Sequence, residues 1–188
     1  MSRQYWAEPI NWVVADGVAV NTTATETIIF PDYTVPGNYF FDGRFLVLRA
    51  SGRWSNVVTA VPTLTFALRW GGVAGTMLAQ SPAITVPAAA TTNALWDIEL
   101  TIQCRANGAT GSLFVMGKVS LCTTTGPTFG TVTNYGVVAL MGSAGAATPA
   151  AVTLDLTAAA NLSLTGKWSA SNAANAFQGH LMHLMSPN

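Results

Sequence analysis

The stretch "ALWDIELTIQCR" (94–105) alternates apolar and polar residues almost without interruption. Trp96, Ile98, Leu100, Ile102 and Cys104 take one parity; Asp97, Glu99, Thr101, Gln103 and Arg105 take the other. A period of two marks a strand with one face in a core and the other turned to water. The next residues, "RANGATGS" (105–112), carry Asn107-Gly108 and Gly111, and "GSLFVMGKVSLC" (111–122) alternates again. Two alternating segments joined by such a turn predict an antiparallel hairpin.

The same rhythm continues in both directions. Strands are expected at 25–30 (TETIIF), 43–55 (GRFLVLRASGRWS), 62–72 (PTLTFALRWGG) and 83–86 (AITV), then at 150–157 (AAVTLDLT), 162–171 (LSLTGKWSAS) and 176–185 (AFQGHLMHLM). Leu64, Phe66, Leu68 and Trp70 form one core face, and Leu113, Val115, Val119 and Leu121 another, aligned through Gly117. Each strand is read as burying one face only. "PDYTVPG" (31–37) reads as a loop, "VPAAATTNA" (86–94) as a flexible connection, and the alanines of "DLTAAANLSL" as the most helix-like turn. No internal repeat stands out, which disfavours solenoids and propellers. The pattern predicts an all-β fold, an antiparallel jelly-roll β-sandwich of about 8–10 strands. Residues 1–24 read as an N-terminal arm or docking segment and 25–188 as the jelly-roll domain. Within it, the uncharged, Gly- and Thr-rich stretch 123–149 is a long excursion and a candidate contact arm.

The 188 residues and 19.6 kDa suit one domain. Only eight basic and eight acidic residues are present, 9% of the chain, against about 25% in ordinary soluble proteins. A free monomer of this mass would expose about 8,600 Å², roughly one charge per 540 Å². So bland a surface suits coverage by other subunits or a partner. The zero net charge and the lack of any Lys/Arg run argue against nucleic acid or a membrane surface as partner. Mean hydropathy is +0.38, yet no apolar run reaches the length of a helical span. "MSRQYWAEPINW" lacks the organisation of a secretory signal, so the protein is expected to stay in the compartment where it is made. Two cysteines are too few for a disulfide framework, and strand phase puts Cys104 on the core side and Cys122 on the other. Both read as free thiols. The sequons at Asn21 and Asn161 read as chance matches.

Asp97 and Glu99 project from one strand face about 6–7 Å apart, a spacing that glycoside hydrolysis uses, but a solvated strand face is the better reading. His180 and His183, the only histidines, fall on opposite faces by parity and make no metal clamp. There is no Gly-x-Ser-x-Gly elbow and no phosphate-binding loop. The chain therefore reads as no enzyme, with no catalytic residue, cofactor or metal. Trp70, Trp96 and Trp168 occupy core phases, whereas Trp6 and Trp12 are docking candidates. Arg44, Arg49, Arg53 and Arg69 read as isolated rim charges.

The segments "VPGNYFFDGRFLVLRASGRWSN", "PTLTFALRWGG", "NALWDIELTIQCRANGATGSLFVMGKVSL" and "LDLTAAANLSLTGKWSASNAANAFQGHLMHLM" resemble, in strand order and turn chemistry, jelly-roll virion proteins of tailed bacteriophages. These are the capsid cement (decoration) and head-fibre types, and similar alternation occurs in other trimeric jelly rolls. The resemblance covers about 25–122 and 150–186. It implies a homotrimer, made in the host bacterial cytoplasm, that sits on the outer capsid surface, binds the major capsid protein and holds adjoining capsomers together. It carries over no functional residue. The alternative is a head-fibre or tail module that binds a host-surface glycan.

Overall fold

A computed structural model describes residues 7–57, 62–87, 90–122, 136–143 and 149–187. In chain order the strands are β1 (Ala7–Trp12), β2 (Val20–Asn21), β3 (Thr27–Ile28), β4 (Tyr33–Val35) and β5 (Phe45–Asn56). Then come β6 (Thr63–Trp70), β7 (Thr76–Gln80), β8 (Ile84–Thr85), β9 (Thr91–Ala106) and β10 (Gly111–Leu121). The last are β11 (Val137–Gly142), β12 (Val152–Leu154), β13 (Ala160–Trp168) and β14 (Ala176–Pro187). Among the described residues there is no helix longer than a turn, and every strand pairing is antiparallel. The fold is all-β, of the expected antiparallel sandwich class. Six of the nine expected strands appear as β5, β6, β9, β10, β13 and β14; those at 25–30, 83–86 and 150–157 shorten to the two or three residues of β3, β8 and β12, and β1, β2, β4, β7 and β11 bring the strands among the described residues to 14.

The strands form two layers. One follows β1-β14-β5-β9-β10-β11 and the other β7-β6-β13-β3, linked where Gly142 of β11 meets Gln80 of β7. The hairpin of β9 and β10 pairs Val115 with Ile102 and Leu121 with Trp96. Its turn contains Gly108 at φ 105°, a conformation costly to a side chain. At Gly117 the strands come so close that an added Cβ would lie 2.0 Å from the Glu99 carbonyl oxygen, so a glycine interrupts the apolar row of β10 at its middle.

Between the layers lies an aromatic core. The Trp96 ring sits 5.1 Å from Phe66 and 6.5 Å from Phe30; Phe177 packs against Phe66 and Trp168 at 5.7 and 5.9 Å. All five alternating residues of β9 from Trp96 to Cys104 are buried, as the opening stretch predicts. Leu64, Phe66, Leu68 and Trp70 are buried too, with Trp54, Trp96 and Trp168 among the largest enclosed side chains. Fully burying one such large apolar side chain contributes about 1.5–3 kcal/mol.

Several expectations change. Residues 7–21 of the segment read as an arm run as β1 and β2 along β14 of the same chain. The 31–37 loop contains β4, which pairs with β13. Thr91–Ala94, read as part of a flexible connection, begin β9. Within the 123–149 excursion, β11 pairs with β10 over six residues; residues 123–135 and 144–148 lie outside the described ones, as does Trp6. The "DLTAAANLSL" turn is a bend in which Thr157 N and Oγ1 donate to Asp155 Oδ1 (2.9 and 2.6 Å), which holds the Asp155 carboxyl below its ordinary range. That side-chain bond ends the extended chain after β12 without a helix.

The strands do not all bury a single face. On β6 and β13 the polar face is covered as well: Ser163 and Thr165 are wholly buried, and Thr65 and Ala67 nearly so.

Candidate functional site

What closes that second face is a side-chain network that joins β6 and β13 to Glu26, the residue just before β3. Arg69 Nε and Nη2 donate to Glu26 Oε1 and Oε2 at 2.6 and 2.7 Å, and Thr165 Oγ1 donates to Glu26 Oε1 at 2.5 Å. Arg69 Nη1 also donates to the Gly75 carbonyl at 2.9 Å. Burial alone would raise the Glu26 carboxyl, but the Arg69 and Thr165 hydrogen bonds and the Arg69 charge outweigh it and hold it low. The same bonds, against burial, raise Arg69. Bidentate pairing of this kind is strong and directional. Arg69 is therefore no isolated rim charge. Nor is Arg44, whose guanidinium stacks 3.8 Å from the Tyr39 ring centroid and donates to Tyr39 O and Oη at 3.0 and 2.7 Å. Burial pushes the Tyr39 hydroxyl up, with Arg44 opposing.

The outer face of the other layer is built differently. Register places Trp12, His183, Arg49, Glu99, Lys118 and Leu140 in one row across six strands. The adjacent row is Leu181, Ser51, Asp97, Ser120 and Val138. Met116 stands beside them on β10, and Trp12, Met116, Val138, Leu140 and Leu181 are all exposed. The charges at the centre are few. Arg49 donates to Glu99 at 2.8 Å, and that hydrogen bond, then the Arg49 charge, holds the Glu99 carboxyl low.

These positions settle the geometry of the sequence candidates. Asp97 and Glu99 do share the outer face, with Ser51 and Ser120 opposite Asp97 and with Arg49 and Lys118 opposite Glu99. A carboxylate held low by an arginine accepts hydrogen bonds at neutral pH and has no proton to deliver as a general acid. The histidines do not lie on opposite faces. A β-bulge between Gly179 and Leu181 inserts His180 as an extra residue and reverses the parity of β14 beyond it. Phe177 and Gly179, then Met182 and Leu184, are therefore the buried positions, and His180, Leu181 and His183 all fall on the outer side. His180 Nδ1 lies 2.8 Å from Asp16 Oδ1.

Cys104 is buried and Cys122 exposed, both unpaired; burial, then Asp42, pushes the Cys104 thiol up, away from reactivity. Among the described residues no group of three or more His, Cys, Asp or Glu side chains is placed to hold a metal ion, and no helix is long and apolar enough to cross a membrane.

The exposed apolar residues of this face divide by legibility. Leu95 and Met116 follow from the phase of their strands, whereas Leu140 needs β11 and Leu181 needs the bulge, neither of which alternation signals. Scans of protein-family models, of curated proteins and of solved structures return no match for this chain.

Proposed function

We propose that the protein is a structural virion component: a homotrimeric capsid cement or decoration protein on the outer surface of a phage head, bound to the major capsid protein and bridging adjoining capsomers. It would be made in the host bacterial cytoplasm and act without catalysis or cofactor. The observation that carries this reading is the outer face of β10 and β11, where Met116, Val138 and Leu140 stand exposed around a single lysine, Lys118. Contiguous apolar surface of this sort marks interaction sites, and its burial contributes about 25 cal/mol per Å² without needing ion pairs. The low charge of the whole chain, eight basic and eight acidic residues, favours the same mode of contact.

The test is the mass of the purified protein in solution together with its copy number on particles. A trimer present in hundreds of copies per head supports the reading. A protein that stays monomeric and is absent from virions overturns it. Contacts of this kind depend little on ionic strength, so release from heads by moderate salt counts against the reading as well.

A further inference from the structure

Where β14, β5 and β9 run side by side, away from the β10–β11 patch, a depression of about 480 Å³ opens on the outer face. That volume is in the range of small-molecule sites. Arg53 stands at its centre, between Gln178 and Leu95 in register. Arg44, Arg49, Arg69 and Arg105 each have a carboxylate or an aromatic ring against them. Arg53 has neither among the described residues, so its guanidinium fork is left open.

Two irregularities shape the rim. Opposite Trp54–Asn56 a bulge inserts an extra residue into β9, where Thr92 and Asn93 face Ser55 alone and Asn93 takes φ 53°, in the left-handed region. The Asn93 N–H donates to Ser55 Oγ at 2.9 Å, which holds this uncommon conformation. On the opposite side the β14 bulge turns His180 and Leu181 into the depression together. The loop leading from β1 braces that side, since Gln178 Nε2 donates to the Gly17 carbonyl at 3.0 Å and Asp16 holds His180. Bulges that re-aim side chains concentrate beside functional sites.

The chemistry offered is specific. An open guanidinium recognises a planar anion bidentately. The Ser51 hydroxyl and the Asn93 side-chain amide, both lining the depression, suit neighbouring hydroxyls. Leu95 and Leu181, 51% and 65% exposed, supply apolar edges on either side. A bare phosphate would make no use of those leucines, and a neutral sugar would leave the guanidinium unmatched. We propose that this depression binds an acidic sugar residue, its carboxylate on Arg53, its hydroxyls against Asn93 and Ser51, and its C–H face on Leu95 and Leu181. The proposal stands apart from the cementing role and does not depend on it.

Titration of the full chain with methyl glucuronide, followed by ligand-observed NMR, tests the proposal, with methyl glucoside and acetate as comparison probes. The expected result is saturable binding of the glucuronide, with both comparison probes at least about tenfold weaker. Arg53→Gln should weaken glucuronide binding at least about tenfold. Asn93→Gly, which keeps the left-handed backbone accessible, should weaken it several-fold, and Arg49→Gln, outside the depression, should leave it unchanged. Matching urea midpoints for the variants and the native chain establish that each is folded. No binding of the glucuronide up to about 20 mM, equal binding of the glucoside or of acetate, or an unaffected Arg53→Gln variant would overturn the proposal.

Discussion

On the outer side of β6 and β13, polar residues are buried: Ser163 and Thr165 have no exposed surface, beneath a network that joins Glu26, Arg69 and Thr165. On the outer side of β10 and β11, apolar residues are exposed, with Val138 at 66%. In one layer the chain covers its own polar face with a paired carboxylate and guanidinium; in the other it leaves an apolar face uncovered. A buried polar face has to be satisfied from within the chain, as Thr165 is by Glu26, while Ser163 Oγ, with no partner among the described residues, is a group left unmatched at a cost in free energy. An exposed apolar face has no such internal obligation. Its cover, in the account proposed above, comes from other copies and from the capsid.

Breaking the internal cover should have the largest effect. Arg69→Met leaves Glu26 partly buried with its charge unmatched, and a loss of about 2–3 kcal/mol is expected, read as a lower urea midpoint with unchanged slope. Adding Glu26→Gln to that variant should cost less than the sum of the single changes, because the pair acts as a unit. A loss below about 0.5 kcal/mol for Arg69→Met would show that the network covers the face without stabilising it.

The same pair sets a pH dependence. The Glu26 carboxyl is held below its ordinary value in the folded chain, so its stabilisation is present above the unfolded-state pKa and is lost as pH falls through the folded-state pKa. Urea midpoints measured from neutral to strongly acidic pH should fall less steeply in Glu26→Gln than in the native chain. Parallel curves would remove Glu26 as a source of the acid sensitivity.

The exposed ion pair makes the smallest difference. Arg49 and Glu99 are 54% and 39% exposed, and Glu99→Gln should change stability by only about 0.2–0.5 kcal/mol, an effect that salt abolishes. A loss as large as that of Arg69→Met would mean that the two faces are not distinguished by burial.

Much of this was legible in the sequence, and the reasons are local. Alternation over 94–105 and 111–122 places the hairpin and its core face, since a period of two needs no knowledge of the neighbours. Alternation fails wherever one residue is inserted. His180 is such a residue, and parity alone puts it on the wrong side of β14 relative to His183. Pairings distant in the chain are hidden as well: Glu26 and Arg69 lie 43 residues apart, and only the layering of β3, β13 and β6 brings them together. Short or polar-flanked strands such as β4 and β7 take their form from the ladders they join, a tertiary effect that outweighs local preference. The depression around Arg53 depends on two bulges, so no spacing of residues in the sequence announces it.

If the uncovered face of β10 and β11 is an assembly surface, a charge placed on it should break the assembly without unfolding the chain. Native mass measurement of the wild-type chain beside Leu140→Glu tests it most directly, because Leu140 is exposed and its replacement should leave the urea midpoint within about 0.5 kcal/mol of the native value. The expected result is a wild-type species of three times the 19.6 kDa chain mass and a monomeric, fully folded variant. A wild-type monomer at every concentration, or a Leu140→Glu variant that assembles as the native chain does, would contradict it.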